Sequence, residues 1–176
     1  MLHQSQQPIA KSNSRGLSIR PAEAADCTAI AQVFMESSEH HASLDPELFF
    51  IPDRSMVTER YRKGHQHPSD KHEECITLVA ELDGDVIGFV DARLDRPSDP
   101  MHRDMVFCHV VELAVGREFQ SKGIGAQLLQ AAEQWGHQRG AHIALLEHNH
   151  ANSRASAFYR LRMGYRVASI TLIKKL

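Results

Sequence analysis

The chain has 176 residues, and its 20 Lys and Arg against 22 Asp and Glu give a formal charge of −2 with its 12 His neutral. This length predicts a single domain, and the balanced charge argues against a basic stripe for nucleic acid or a polybasic membrane patch. No stretch approaches the ~18 consecutive apolar residues of a membrane-spanning helix. The cysteines are odd in number and widely spaced: Cys27, Cys75 and Cys108. We expect free thiols and a cytoplasmic protein.

The N-terminal region predicts a tail, a strand and a helix. Residues 1–15 are rich in Gln and Ser and predict a flexible tail, so the folded domain is expected to span 16–176. A short strand with alternating apolar residues ends at Pro21, because proline cannot donate to a strand ladder. Asp26 is then placed to cap a helix whose apolar face carries Ile30, Val33 and Phe34.

The next region predicts a loop, a helix and a β-hairpin. Prolines interrupt residues 45–52, where 48–51 form an apolar plug in a loop, and a short helix is expected over 55–63. The runs 76–82 and 86–94 are both apolar. An Asp-Gly pair lies between them and supports a primed turn, so these runs predict two antiparallel strands.

The C-terminal half alternates strands with helices. We expect a strand over 106–115, a helix that begins at Ile124 and a brief strand over 143–146. Asn152 is placed to cap a further helix, and residues 165–176 predict a terminal pair of strands or one bent strand. The order β-α-α-β-β-β-α-β-α-β-β predicts a mixed α/β fold around one sheet.

The segment that enters the third helix has the composition of an anion-binding loop, Gln120-Ser121-Lys122-Gly123-Ile124-Gly125. The first amides of a helix lack intrahelical partners, and the helix dipole is positive there. Two glycines let a pyrophosphate approach the main chain closely. A Walker A loop is excluded because Lys122 precedes the glycines. A dinucleotide fingerprint is excluded because Leu128 stands where a third glycine is required.

This loop resembles the acyl-coenzyme A loop of the GNAT superfamily of N-acetyltransferases, in which Gln/Arg-x-x-Gly-x-Gly/Ala follows a strand. Gln120, Gly123 and Gly125 match that pattern fully. Alone, Gly-x-Gly before a helix can also serve only the backbone turn that leads into the helix, without binding a ligand. Further segments favour the family, and they are Ile19-Arg20-Pro21, Asp26, Leu146-Glu147, Asn152, Ala157-Phe158-Tyr159 and Met163-Gly164-Tyr165. The resemblance covers roughly residues 17–176.

The resemblance implies a single domain with a central, mostly antiparallel sheet flanked by about four helices. It also implies acetyl-CoA as the acyl-donor co-substrate. The pantetheine arm would bind the backbone of Leu113, Ala114 and Val115, whose amides could pair with it as with a strand edge. The pyrophosphate would bind the loop formed by Ser121, Lys122, Gly123, Ile124, Gly125 and Ala126, and Gln120 just before it would also belong to the cofactor-binding residues. Asn152 resembles a cofactor-contacting residue of the family, although a plain helix cap would leave the same residue there.

By the same resemblance, Tyr159 lies near the sulfur, where a phenol could protonate the leaving thiolate. The attacking amine must lose a proton, and two carboxylates are candidates for the base. Glu112 lies inside an apolar strand, where a carboxylate needs a task or a partner, and Glu147 ends the next strand. Either one could instead have a structural role, and a water chain could serve as the base. His40 and His41 are expected to border the acceptor and are candidates for tuning its pH preference.

The sequence therefore predicts an N-acetyltransferase that acts on a primary amine of a small molecule or peptide. A non-catalytic acyl-CoA-binding regulatory module of the same fold is the alternative, and a protein-interaction domain without cofactor is a weaker one. No metal is expected, because the clustered histidines lack the cysteine or carboxylate pattern of a zinc site. Family members commonly pair, so a homodimer is a further expectation. The acceptor itself and the length of the acyl group stay open.

Overall fold

The computed structural model describes residues 16–66, 74–97, 101 and 103–175, so the predicted tail over 1–15 lies outside the described residues. In this part of the chain, five strands form one sheet and four α-helices pack around it. The strands are β1 Leu17–Pro21, β2 Cys75–Leu82, β3 Asp85–Asp95, β4 Val106–Val115 and β5 Ala141–Leu146. The helices are α1 Cys27–Leu44, α2 Arg54–Gln66, α3 Ile124–Gln138 and α4 Ser153–Ala157, and α4 continues as a π-helical turn, Phe158–Arg162.

The strands lie in the order β1-β2-β3-β4-β5, antiparallel except for the parallel pair β4 and β5. The predicted hairpin joins β2 to β3, and its turn residues Asp83 and Gly84 have φ of 53° and 94°. Positive φ at both positions is what a type I′ turn requires. The fold expected from the sequence, a mostly antiparallel sheet with about four helices, is confirmed.

Each face of the sheet carries its own apolar core. On one face α3 packs against β3 and β4, and the residues at its centre include Leu78, Val90, Leu128, Leu129 and Trp135. On the other face α1 and α2 cover the sheet, with Ile30, Val57, Tyr61 and Phe89 in contact. Full burial of each such side chain contributes about 1.5–3 kcal/mol, so the two cores hold the sheet rigidly between the helices.

Strands β4 and β5 separate partway along their length. Their pairing begins at Val106 with Ala141 and ends at Val110 with Leu146, where β5 itself ends. Strand β4 continues to Val115 without a partner on that side among the described strands. This separation opens a gap between the carboxyl ends of the two strands.

Strand β4 also carries a bulge next to this gap. On β3, Asp91 pairs with Glu112 and the next residue, Ala92, pairs with Val110, so Val111 is an extra residue on β4. A bulge bends a strand and redirects the side chains beyond it. The strand therefore changes direction where the gap begins.

Three expectations were wrong. Residues 166–175 form no strand; their side chains are exposed, and Lys175 lies 4.0 Å from Glu47 in an exposed ion pair. Their alternating apolar residues suit a strand, but a strand also needs a partner. The apolar plug over 48–51 is exposed rather than buried, since Phe50 is 76% exposed. No described side chain caps α1, because the Asp26 carboxylate accepts hydrogen bonds from Arg20 and from the backbone N–H of Glu23 instead.

None of the helices in the described part of the chain combines the length and the apolar composition that crossing a bilayer requires.

Candidate active site

A cavity of about 890 Å³ occupies the gap between β4 and β5. It is bounded by β4, the N-terminus of α3, the C-terminal half of α1 and the region from β5 to the π-helical turn. Most of the site residues expected from the sequence line it: Glu112, Leu113, Ala114, Val115, Gln120, Ser121, Gly123, Gly125, Ala126, Glu147, Asn152 and Tyr159. Residues far apart in the chain are thus brought to one place.

Two expected residues lie outside this lining. The Lys122 ammonium lies 5.2 Å from the centre of the Phe119 ring, in a cation–π contact. The Ile124 side chain is buried and packs in the core beneath α3. Their side chains are thus engaged elsewhere, and only their backbone belongs to the loop at the start of the helix.

The start of α3 has the geometry of an anion site. Gly123 is the N-cap and has φ of 84°, which is the left-handed region that favours glycine. No side chain in the described chain caps this helix, and its first turn carries no acidic residue. The first amides of α3 therefore keep their partial positive charge at the cavity wall.

Arg154 braces this loop, and sequence reasoning missed it. Its guanidinium donates to Gln120 Oε1 at 2.8 Å and to Ser121 Oγ at 2.9 Å. The Gln120 side-chain amide in turn donates to the Val115 carbonyl at 3.0 Å. The loop is thus tied both to the end of β4 and to α4. The sequence feature that could have indicated Arg154 is a basic residue two positions after the capping Asn152.

Arg162 is a second missed cation, on the π-helical turn. Its Nη2 lies 3.5 Å from where a Cβ at Gly123 would be, and it lines the cavity together with Arg154. Two guanidinium groups beside a helix N-terminus form a strongly anion-attracting corner, because arginine matches phosphate oxygens in charge and geometry.

Asn152 both caps α4 and lines the cavity. Its Oδ1 accepts a hydrogen bond from the Ala155 backbone N–H at 2.9 Å, so the cap expected from the sequence is confirmed. The amide nitrogen takes no part in that bond. A contact of this nitrogen with a ligand is therefore compatible with the cap.

Tyr159 lies among aromatic rings at the cavity wall. Its ring centre is 5.1 Å from that of Phe158, 5.9 Å from that of His148 and 6.0 Å from that of Tyr165. Burial, and secondarily the charge of Glu112, raises the pKa of Tyr159 to about 12. The phenol therefore stays protonated near neutral pH and can act as a proton donor.

Glu112 is a partly buried carboxyl group in the same cavity. Burial, followed by the charge of Asp91, raises its pKa to about 7, while a 3.3 Å hydrogen bond from Ser37 Oγ and the charge of Arg60 oppose that rise. A carboxyl group with this pKa can gain and lose a proton near neutral pH, as a general base must.

Glu147 and two histidines also line the cavity. Glu147 is exposed at the end of β5. His40 and His41, at the end of α1, both line the cavity. Burial, and then the neighbouring His40, lowers the pKa of His41, and its Nδ1 is buried without a hydrogen-bond partner in the described part of the chain. The imidazole of His41 is thus neutral near pH 7.

The cavity fits an acyl-CoA in two respects that the structure itself shows. The cationic corner of α3, Arg154 and Arg162 suits a diphosphate. The stretch of β4 beyond Val110 has no strand beside it on the β5 side among the described residues, so a chain of amides could pair with it.

Comparisons with known proteins agree with this geometry. The sequence model of the acetyltransferase (GNAT) family matches residues 31–165, a span that contains every lining residue named above. The uncharacterized N-acetyltransferase YhfO of Bacillus subtilis (strain 168) is 27% identical over 143 residues, which cover 81% of this chain and 86% of that relative.

Two solved structures resemble the chain in fold. A mutant of the BH1408 protein from Bacillus halodurans has a TM-score of 0.79 at 20% identity, over 90% of this chain and 99% of that one. The aminoglycoside N-acetyltransferase AAC(6')-Iy, solved in complex with CoA, has a TM-score of 0.68 at 16% identity, over 91% of this chain and 94% of that one. At these identities the likeness concerns the fold alone.

Proposed function

The chain belongs to the acetyltransferase (GNAT) family, and from that premise we propose that it moves an acetyl group from acetyl-CoA to a primary amine of a small molecule or peptide. One observation carries the proposal. A single cavity joins an anion-binding helix start, an unpaired strand edge, a protonated tyrosine and a carboxyl group whose pKa lies near 7.

The donor would lie along β4 and end at the start of α3. Its diphosphate would accept hydrogen bonds from the backbone of the 121–126 loop, with charge from Arg154 and Arg162. Its amides would pair with Leu113, Ala114 and Val115, and Asn152 would contact it from the start of α4. When bound, acetyl-CoA supplies the acetyl group to be transferred, activated as a thioester.

The residues around the acetyl end would move the protons. The amine nitrogen attacks the thioester carbonyl carbon; a C–N bond forms and the C–S bond breaks. Glu112 takes one proton from the amine, because a lysine-like amine with pKa ~10.4 is otherwise protonated near neutral pH. The second N–H proton, lost as the amide forms, replaces the proton that Tyr159 gives up. Tyr159 gives its hydroxyl proton to the departing sulfur. A backbone N–H of β4 polarises the carbonyl oxygen.

Glu147 is the competing base, directly or through water, because it lies on the rim of the same cavity. The conservative variants Glu112→Gln and Glu147→Gln separate the two. We expect Glu112→Gln to lower kcat about 10²–10⁴-fold, the usual contribution of a general base. If Glu147→Gln shows that loss and Glu112→Gln does not, the roles are reversed.

The test of function is release of free thiol from acetyl-CoA in the presence of amines. The panel should contain polyamines, amino acids, peptide N-termini and aminoglycosides, the last because a structural neighbour is named as an aminoglycoside N-acetyltransferase. We expect thiol release with at least one class, and mass spectrometry should show a gain of one acetyl group. Binding of acetyl-CoA by calorimetry with no turnover across the panel would favour the regulatory module instead.

We also propose that the protein is a homodimer held by its C-terminal segment. Residues 166–175 are exposed and carry the apolar side chains Val167, Ile170, Leu172 and Ile173. Strand β5 is the last strand of the sheet, so its outer edge faces no other strand in the described residues. An exposed alternating segment and an open strand edge on the same chain favour strand addition between two copies.

A further inference from the structure

A second carboxylate, Asp91, lies beside Glu112 within the sheet. The two residues are direct partners across β3 and β4. Side chains of such partners project from the same face, with Cβ atoms about 4.5–5.5 Å apart. The bulge at Val111 sets this pairing. If Val111 instead paired with Asp91 in regular register, Glu112 would lie opposite Val90 and project from the other face of the sheet.

Two hydroxyl groups hold the Asp91 carboxylate in place. Thr77 Oγ1 on β2 donates to Asp91 Oδ1 at 2.7 Å, and the Tyr61 hydroxyl on α2 donates to Asp91 Oδ2 at 3.0 Å. Tyr61 is buried, and burial together with the charge of Asp91 raises the pKa of its phenol, so it stays a donor. Both donated bonds stabilise the ionised form of Asp91.

We infer that Asp91 is a positioning residue for acyl transfer, which acts through Glu112 by holding a fixed negative charge beside it and so makes Glu112 the proton acceptor of the pair. The inference rests on the proposed function, because it assigns a task to the base of that reaction. Asp91 touches neither substrate in this scheme.

The physical reason is the strength of the base. An ordinary glutamate, with pKa ~4.3, accepts a proton from an amine poorly, whereas a base with pKa near the working pH is efficient. Two carboxylates side by side do not ionise independently, so one of them holds its proton to higher pH. Because Asp91 has two hydroxyl donors, the ionised form is favoured at Asp91. The proton of the pair therefore goes to Glu112, at the cavity.

Other groups face Glu112 from the surrounding elements. Ser37 on α1 and Arg60 on α2 favour its ionised form. Tyr159 on the π-helical turn is close enough for its titration to depend on Glu112.

The remaining titratable groups of the cavity are Glu36, Glu39, His40 and His41 on α1, Glu147 and His148 beyond β5, and the cations Arg117, Arg154 and Arg162. Glu36 and Glu39 both accept hydrogen bonds from Arg117. Only Asp91 contributes a second negative charge among the groups that shift the pKa of Glu112.

The test is the titration of the Glu112 side-chain carboxyl carbon by NMR, in wild-type protein and in Asp91→Asn. We expect the midpoint to fall by about one pH unit or more when the neighbouring charge is removed. Asp95→Asn is the matched control, because Asp95 lies on the same strand and pairs with Arg93 and His109 instead. In Asp95→Asn, the titration midpoint of Glu112 should stay at the wild-type value.

A milder variant keeps the inference testable if Asp91→Asn does not fold. Thr77→Val keeps the shape of the side chain and removes one donor, so Asp91 competes better for the shared proton. Glu112 should then be less protonated at a given pH, and its midpoint should again fall. With an active acceptor, the acid limb of kcat/KM against pH, which reports the free enzyme, should move to lower pH by the same amount as the NMR midpoint.

The outcomes separate this inference from the function on which it rests. An unchanged Glu112 midpoint in both variants, in protein that releases thiol, overturns the inference and leaves the acetyltransferase proposal intact. A shifted midpoint with an unmoved acid limb also overturns it, since Glu112 would not be the proton acceptor. A shifted midpoint in protein that releases no thiol with any amine rejects the proposed function and keeps the coupling of Asp91 to Glu112.

Discussion

Among individual side chains, Tyr159 gives the sharpest test of turnover. Its phenol is protonated near neutral pH and lies in the cavity wall. We expect Tyr159→Phe to lower kcat by about 10²–10⁴-fold, because it removes the proton donor and keeps the ring packing. The KM for acetyl-CoA should change little. Steady-state kinetics of thiol release measures both quantities.

Tyr165→Phe is the control for that variant. Tyr165 contacts the Tyr159 ring at 6.0 Å, but its hydroxyl donates to Glu133 at 2.7 Å and it is not among the residues that line the cavity. Its kcat should stay within a few-fold of wild type. A full kcat in Tyr159→Phe would instead point to another acid or to a module that only binds.

Arg154 tests the anion site. Loss of its charged contact with the proposed diphosphate should cost about 1.5–3 kcal/mol of donor binding, so we expect Arg154→Ala to raise the KM for acetyl-CoA about tenfold or more while kcat stays near wild type. Arg160→Ala is the matched control, since Arg160 is exposed on the neighbouring turn and lies outside the cavity lining. Equal KM values in the two variants would contradict a phosphate role for Arg154.

Glu112 also predicts how stability depends on pH. An unfolded glutamate titrates near 4.3, whereas in the folded protein its pKa is about 7. Between these values the folded state binds more protons than the unfolded state, so the free energy of unfolding falls as pH rises. This stability is fully present below about pH 4 and is lost through pH 7. Because Gln cannot ionise, Glu112→Gln should lose less stability than wild type between about pH 5 and 8.

Urea unfolding of wild type and Glu112→Gln at about pH 5 and at about pH 8 measures how much stability each protein loses between those values. Glu147→Gln is the control, since Glu147 is exposed on the rim of the same cavity and meets solvent when the protein is folded. It should follow the wild-type dependence. Parallel behaviour of wild type and Glu112→Gln would show that the carboxyl of Glu112 is not held protonated by the fold.

At the scale of elements, the start of α3 depends on a backbone conformation. Gly123 has φ of 84°, and an added Cβ would meet only Arg162 Nη2 at 3.5 Å, an ordinary contact. The cost of Gly123→Ala is therefore conformational, and we expect a loss of about 1–2 kcal/mol in the free energy of unfolding, with weaker acetyl-CoA binding. Thermal and chemical unfolding, with calorimetry, give both.

Gly64→Ala is the matched control for that variant. Gly64 lies inside α2, and beyond its own stretch of the helix a Cβ there would meet no atom of the described structure within 4 Å. Alanine has the better helix propensity, so this variant should be more stable by about 0.5–1 kcal/mol. Equal effects of the two substitutions on the free energy of unfolding would mean that stability does not depend on a left-handed conformation at residue 123.

At the scale of the whole molecule, the exposed C-terminal segment predicts how copies associate. A variant that ends at Tyr165 removes the apolar side chains over 166–175, which contribute nothing to the two cores. We expect wild-type protein to be a dimer by light scattering and the shortened protein to be a monomer with a similar Tm. Ile170→Asp with Leu172→Asp should give the same result, whereas a dimer in every variant would place the interface elsewhere.

Patterns that are local in sequence predicted most of the elements. The Asp-Gly turn, the 106–115 strand, the helix that begins at Ile124 and the Asn152 cap are all confirmed, because each depends on neighbouring residues alone. The strands expected over 165–176 are absent from the described residues 165–175, for the complementary reason. The alternation of this segment is compatible with a strand, but pairing depends on an edge supplied from elsewhere.

The sequence by itself determined the position of the loop that we expect to bind an anion, since Gln120 to Ala126 are contiguous and lead into the start of a helix. Only the tertiary structure decided what surrounds that loop. The separation of β4 from β5, the reach of Arg154 to Gln120 and the pairing of Asp91 with Glu112 join residues far apart in the chain. Strand register and a single bulged residue set these contacts, and no local pattern of residue types encodes them.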